Sequence, residues 1–452
     1  MKTLYGDWVP PPPTLASGRG PGPSGPYTSG FSYYVIVRDV ARLAHAIGDK
    51  ELGGKLDSLA ESVLDEFTKA WVSPDGCFDA CSTQTALVLA IACGAARKAG
   101  VENATLAHLN TAIQKAGLDF TTGILGFRYL FEVLGNHGMA DVALSMLEET
   151  DYPSVGFQFA NSLEPATANV WEVFNAPVEI PEMDSRNHHA FSSFSAYLIT
   201  HVAGLHVEQE SVPPHFTMAV ATTAGLSAAS AKTDTPRGTV SLRWRATGGV
   251  HTSRVAAGIG DHATIDCGPG GGVVESVSFA SFGTPEVSHH DERIGRPTFT
   301  EHPICHAADS ADVAVARCKG RRRCAVPADA AAFAALPEAC LDDVANPPRL
   351  WVQATCTGPP GIRASVRVPV GASADVNFPT TRLAASSDGR ISAWTLSESG
   401  TKMVTLFRKG MRLARTAEKL PRGVASVRTD PSSVSVRVLG GTFSFVLRPS
   451  EQ

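Results

Sequence analysis

Glu172 directly follows Trp171 in a long segment that also holds Tyr152-Pro153-Ser154 and Ser185-Arg186-Asn187-His188-His189. An indole beside a carboxylate suits carbohydrate chemistry: the ring offers an apolar face to a sugar, and the carboxylate can deprotonate a water. The plain alternative is that Trp171 packs in a core and Glu172 caps a helix or pairs with a cation, since most loop glutamates do nothing chemical. Metal chemistry is less well supported. His188-His189, His289-His290 and Cys77-x3-Cys81 each lack a second ligand pair at zinc-site spacing, so no metal is expected. Gly268 to Gly272 is followed by neither Lys-Ser/Thr nor a helix, so it is not a phosphate loop, and no organic cofactor is expected.

The elements that must hold these residues fall into two styles. From Phe31 to about Leu205 the pattern is helix after helix, with Gly48, Gly100, Gly117, Gly135 and Gly204 placed as left-handed caps. Leu52, Leu56, Leu59, Val63, Phe67 and Trp71 form the apolar stripe of one long helix, which ends at Ser73-Pro74-Asp75-Gly76. Further helices are predicted over 82–98, 102–115, 122–134, 138–148 and 187–202. Their short connections favour antiparallel hairpins, as in a bundle or α/α toroid. Between Glu149 and Asn187 lies a loop of about 37 residues, long enough to be functional or disordered. Residues 1–30, with Pro10 to Pro13, Pro21, Pro23 and Pro26, read as a Pro/Gly-rich loop or semi-rigid linker. After Gly204 the period becomes two: Val240, Leu242 and Trp244 share a strand face, and 365–370, 403–407, 434–438 and 442–447 alternate likewise, as in an antiparallel sandwich.

With 452 residues, 43% of them hydrophobic, 18% charged and a net charge of −5, the chain can bury several cores and presents no basic field for nucleic acid. No apolar run reaches the ~20 residues of a membrane helix, so no membrane partner is expected. Six of the nine cysteines (Cys267, Cys305, Cys318, Cys324, Cys340 and Cys356) crowd into one stretch that interrupts the β-region. They suggest a disulfide-stapled module inserted in a surface loop, and so an extracellular or secretory-pathway setting, although Met1 to Trp8 shows no secretory signal. Cys77, Cys81 and Cys93 lie in an apolar helical region and are expected to be reduced and packed.

Several spaced motifs, in order, resemble the later part of the catalytic domain of inverting α-L-rhamnosidases of the six-hairpin α/α-barrel type. They are Tyr5-Gly6-Asp7-Trp8, Thr83-Gln84-Thr85-Ala86-Leu87, Thr122-Gly123-Ile124-Leu125-Gly126, Tyr152-Pro153-Ser154-Val155-Gly156, 166–172, and Ser185 to Phe191. Thr235-Pro236-Arg237-Gly238 and Val240 to Trp244 resemble the β-sandwich that follows such barrels. The resemblance implies that Glu172 is the general base, that Trp171 lines the sugar site, and that His188, Asn187, Asp7 and Trp8 contact the substrate. Inversion also needs an acid ~6.5 to 9.5 Å from the base. In the family that acid sits in an Asp-Glu-Arg motif before the Gly-Asp-Trp segment, so this chain is expected to carry a partial barrel, with an exposed apolar seam, and to be inactive alone. Asp291-Glu292-Arg293 comes after the base and in another module, and reads as a coincidence. Val155, Phe174 and Ser192 depart from the family pattern and alter the expected sugar subsite.

Residues 263–357 resemble a galactose- or rhamnose-binding lectin module of the sea-urchin-egg type, through 279–285, Cys305-His306-Ala307, 318–324 and 350–356. That resemblance implies pairings Cys267–Cys356, Cys305–Cys340 and Cys318–Cys324. The expected chain therefore has a Pro/Gly-rich loop (1–30), a partial (α/α)6 barrel (31–205) and a β-sandwich (206–250 and 358–452) interrupted by the lectin module (263–357). The expected partner is a rhamnoside or galactoside glycan; a non-catalytic carbohydrate-binding protein is the alternative.

Overall fold

Asp49 starts a helix because its side chain accepts the Leu52 amide at 3.0 Å, satisfying one of the donors a helix N-terminus leaves open. In the computed structural model this helix is α2 (Lys50–Trp71), and Gly48, at φ 85°, turns the chain into it from α1 (Gly25–Ala46). The residues described are 6–15, 18–161, 169–176, 185–208, 213–220, 226, 228–256, 261–267, 272–288, 298–334, 336–341, 348–379, 394–399, 403–408, 423–429 and 433–449. They divide into two compact units, residues 1–195 and 196–452. Asp291-Glu292-Arg293 and His289-His290 lie outside the described residues.

In the first unit, α3 (Gln84–Ala92), α4 (Ala95–Lys98), α5 (Glu102–Lys115), α6 (Ile124–Asn136), α7 (Ala140–Glu148) and α8 (Val155–Ala160) follow. Every residue of α3 from Gln84 to Ile91 is buried, so this helix is central and apolar all round. It breaks at Gly94 (φ 84°), and the single helix expected over 82–98 is two. Gly135 lies inside α6, and the left-handed turn after that helix belongs to Gly138 (φ 77°). The apolar stripe of α2 also shifts. Leu52 and Leu59 are about two-fifths exposed, while Gly53, Ala60, Leu64 and Phe67 are buried. Small residues on that face let α2 approach α1, where a Cβ on Gly30 would come within 2.9 Å of the Phe67 ring.

Two expectations about this unit are corrected. Residues 9–12 are buried, and Gly20 donates to the Pro10 carbonyl at 2.7 Å, so the Pro/Gly-rich stretch is packed rather than a solvated linker, and α1 begins inside it at Gly25. Cys77 and Cys81 form a disulfide; only Cys93 is a free, buried thiol among the described residues, and burial pushes it up to about 12. On α1, Tyr33, Ile36, Val40, Leu43 and Ile47 stand 42–80% exposed at three- and four-residue spacing, an apolar stripe along one helix face.

The second unit is mostly β. The helix expected over 187–202, which begins in the first unit, is instead a one-turn 3-10 piece (His189–Phe191), the short α9 (Phe194–Tyr197) and a π-turn (Leu198–Val202). Then come β1 (Leu205–Glu208), β2 (His215–Ala219), β3 (Ala228–Thr235), β4 (Gly238–Ala256), β5 (His262–Asp266), β6 (Val274–Gly283), β7 (Glu286–Ser288), β8 (Thr298–Thr300), α10 (Ser310–Cys318), β9 (Arg323–Pro327), α11 (Glu338–Leu341), β10 (Arg349–Pro379), β11 (Trp394–Ser399), β12 (Met403–Arg408), β13 (Val424–Thr429) and β14 (Ser433–Pro449). β10 organises the unit. Its first stretch, to Cys356, pairs with β4 and β6; from Gly361 to Val368 it pairs with β4 and β14; from Ser373 it pairs with β14 and, in parallel, β2.

The period-two alternation sends Val240, Leu242 and Trp244 of β4 into one core with Val366, Val376, Phe445 and Met218. A second core gathers Ile265, Phe282, Val326, Leu350 and Val352 around the disulfides Cys267–Cys356, Cys305–Cys340 and Cys318–Cys324. The cysteine-rich stretch is not hung from a loop: β4 and β10 remain paired from Arg367↔Ser241 to Arg349↔Ala256, with one irregularity, and carry the ladder from one core to the other.

Candidate functional site

Two backbone hydrogen bonds bring the expected site residues together. The Glu172 amide donates to the Ser185 carbonyl and the His188 amide to the Val170 carbonyl, both at 2.8 Å, so 170–172 and 185–188 lie side by side. An aromatic cluster fixes this pair of segments. Phe174 and Phe191 pack edge-on at 4.8 Å, and both reach the α6 cluster, Phe174 through Phe120 (4.7 Å) and Phe191 through Phe127 (5.0 Å). The Glu172-bearing segment is thus anchored on the buried face of α6.

The third piece is the Gly6-Asp7-Trp8 strap. Asp7 accepts from the Thr85 hydroxyl and the Gly123 amide, each at 2.6 Å, and from the Leu125 amide at 2.8 Å. It therefore caps α6 from outside that helix. Burial raises its pKa, and the bonds from Thr85, Leu125 and Gly123 oppose the rise. The Trp8 carbonyl accepts the Ile124 amide at 2.8 Å, and a Cβ on Gly123 would lie 2.2 Å from that carbonyl oxygen, so the approach demands glycine.

Held this way, the Trp8 indole donates to Glu172 Oε1 at 3.2 Å, while the Ser185 amide donates to Oε2 at 3.1 Å. The Arg19 guanidinium stacks over the Trp8 ring at 4.0 Å. Burial by itself pushes the Glu172 pKa up, but the bonds from Ser185 and Trp8, with His188 and Arg19 nearby, outweigh it and hold the carboxyl below its ordinary value. Glu172 is half-buried, ionised at neutral pH, and keeps acceptor capacity beyond these two bonds.

The other expected residues are placed differently. Trp171 is 2% exposed, its amide donating to Gln158 Oε1 at 3.1 Å and Arg186 lying 5.7 Å over its ring; it packs in the core beneath Glu172. Asp7 is 8% exposed and sits under the site. His188 is half-buried, its Nδ1 accepting the Ala190 amide at 3.3 Å, and its ring stacks on His189. Asn187 is exposed, its amide donating to Ser185 Oγ at 3.2 Å. Arg19 escapes sequence reasoning altogether; its only signal is being the one charged residue in 9–30. As for metal ligands, Cys77, Cys81 and His108 offer atoms within 4.8 Å of one another, but the two sulfurs are bonded together.

Residues 1–202 match the family model described as the bacterial alpha-L-rhamnosidase 6 hairpin glycosidase domain. One alpha-L-rhamnosidase of Formosa agariphila is 27% identical over 246 residues, covering 53% of this chain and 26% of its own length. An alpha-L-rhamnosidase of Streptomyces avermitilis is 28% identical over 184 residues, 38% of this chain and 17% of its own. The chain thus spans about a quarter or less of these relatives. Among solved structures, alpha-L-rhamnosidase from Dictyoglumus thermophilum superposes with TM-score 0.59 at 17% identity, covering 98% of this chain and 34% of that one. The Streptomyces avermitilis enzyme, complexed with L-rhamnose, superposes with TM-score 0.56 at 16% identity, covering 98% of this chain and 28% of that one. Residues 1–202 are therefore similar to the six-hairpin glycosidase domains of alpha-L-rhamnosidases, and the chain shares its fold with part of the solved enzymes.

Proposed function

We propose that this chain carries the base side of an inverting α-L-rhamnosidase site, with Glu172 activating the hydrolytic water. The observation that carries the reading is the Glu172 carboxylate, ionised and aimed by the Trp8 indole and the Ser185 amide beside His188 and Arg19. In the step, a water proton passes to Glu172 as the water oxygen bonds to the anomeric carbon. The glycosidic C–O bond breaks on the opposite face, and the departing oxygen takes a proton from a carboxylic acid of the family's Asp-Glu-Arg type. His188 contacts the sugar from its half-buried position and Asn187 from its exposed one. Trp8 acts on Glu172, while Asp7 and Trp171 position the strap and the segment beneath it.

A substrate that needs no acid tests the base by itself. α-L-Rhamnosyl fluoride leaves as fluoride, so the chain is expected to hydrolyse it, and Glu172→Gln to slow turnover by about 10²–10⁴. Equal turnover by the variant, or none by the parent, would contradict the assignment.

The disulfide-rich core supports a second, compatible reading: the residues around it form a galactose- or rhamnose-binding module. Three disulfides and a core of its own favour it. A glycan array probed with the full chain is expected to show rhamnoside or galactoside binding that Glu172→Gln leaves unchanged; silence on both classes would end this reading. The four disulfides fit an extracellular or secreted protein, and no helix among the described residues is long and apolar enough to cross a membrane.

A further inference from the structure

The solvent face of the sheet β3-β4-β10-β14 carries a track of cations. Cross-strand register puts Ala228, Arg245, Arg363 and Val446 in one row and Ser230, Arg243, Ser365 and Ser444 in the next. A third row reads Lys232, Ser241, Arg367 and Thr442. Their neighbours along the strands, such as Leu242, Trp244, Ala364 and Phe445, are buried in the core, so these rows point outward. The small side chains between the arginines leave a groove of about 540 Å³, lined by Arg243, Arg245, Arg363, Ser230, Ser365 and Ser444 among others.

Electrostatically the arrangement is costly as it stands. Arg245 lies directly opposite Arg363, and like charges in opposed cross-strand positions destabilise a sheet. Arg243 is diagonal to both Arg363 and Arg367, within reach of long side chains. Asp266 answers Arg245, at 2.9 Å; among the described residues neither Arg243 nor Arg363 has a carboxylate partner. Asp234 sits at the far end of the same face, already accepting from Thr239 at 2.6 Å.

We propose that this groove binds an acidic oligosaccharide, its carboxylates or sulfates seated on the Arg243 and Arg363 guanidinium forks, with Arg367 on the adjoining row, and its hydroxyls on the serine row. Arginine forks match planar oxyanions in paired hydrogen bonds, and hydroxyls spaced between them suit a sugar. The choice of a glycan over another polyanion rests on the glycosidase reading above and on the serine and threonine hydroxyls interleaved with the arginines, which can pair with a sugar's own hydroxyls.

The test is binding by the full chain, read by calorimetry or NMR without turnover, so its failure and the failure of the Glu172 assignment are separate events. The probes are an oligogalacturonate, a sulfated oligosaccharide, a neutral dextran of matching length and a single-stranded DNA. Binding to at least one acidic glycan and not to dextran is expected, and the comparison of the two acidic probes tells carboxylate from sulfate. The double variant Arg243→Ala/Arg363→Ala is expected to weaken that binding roughly tenfold or more, with a Tm no lower than the parent's because a repulsion is removed. Arg363→Lys, which keeps the charge and loses the fork, is expected to lie between them and carries the test should the double variant fail to fold. No acidic-glycan binding, equal binding of dextran, undiminished binding by the variants, or DNA binding as tight as the glycan's would each overturn the proposal.

Discussion

Trp8 is one of the groups that lower the Glu172 pKa against burial, after the Ser185 amide. Trp8→Phe keeps a ring under Arg19 and deletes the indole donor to Oε1, so the Glu172 pKa is expected to rise. Because the parent carboxyl titrates below its ordinary 4.5, Glu172 as the proposed base is expected to place the acidic limb of hydrolysis low in the parent and at higher pH in Trp8→Phe. A pH–rate profile of the two proteins checks the direction; a limb that stays put would separate Trp8 from the base. Asp7→Ala is expected to cost about 2 kcal/mol, as loss of a helix cap with several donors should, and a thermal melt reads it. At this scale the sequence was legible where chemistry is local. The Trp171-Glu172 pair and its histidine-bearing neighbour segment stand out by residue type. Arg19 was not legible, because its contact with Trp8 depends on a fold of the Pro/Gly-rich stretch that composition reads as linker. Trp171 was legible as either core or sugar platform, since the same indole serves both purposes and only its burial decides between them.

On α2, hydrophobicity and burial part company. Leu59 is 40% exposed and Phe67 4%, so Phe67→Ala is expected to cost about 3–5 kcal/mol and Leu59→Ala under about 0.5, by chemical denaturation. Equal costs would restore the stripe that the leucines suggest. The sequence identifies this helix and α5 closely, because capping and periodicity are local properties. It misplaces the buried face because Gly53, against His45 of α1, and Ala60 are buried as small residues, which hydropathy does not reward. The break of the predicted 82–98 helix at Gly94 and the disulfide between Cys77 and Cys81 are likewise set by surroundings rather than pattern. Alternation in β4, β10 and β14 was readable; the continuity of the β4–β10 ladder across both cores was not, since it depends on pairing partners a hundred residues apart.

Across the whole molecule, stability should depend on acid through His201. Burial, with His206 nearby, lowers its pKa from 6.5 to about 4, so it stays neutral in the fold while the unfolded chain takes up a proton. Unfolded chains then bind more protons between about pH 6.5 and 4, and stability is lost as pH falls through that window. The Tm is expected to drop between pH 7 and 5, and to drop less in His201→Asn; identical pH dependence would contradict this. The long Cys267–Cys356 closure contributes about 4 kcal/mol by chain entropy, which reduction should remove from the β-rich unit.

In the proposed reaction Glu172 serves water on the face opposite the leaving group. Glu172→Ala incubated with α-L-rhamnosyl fluoride and azide puts that directly to NMR: azide occupies the vacated space and needs no base. Rescued fluoride release and the β-configured rhamnosyl azide are expected. Failure of azide to rescue, or an α-configured product, would contradict this role of Glu172.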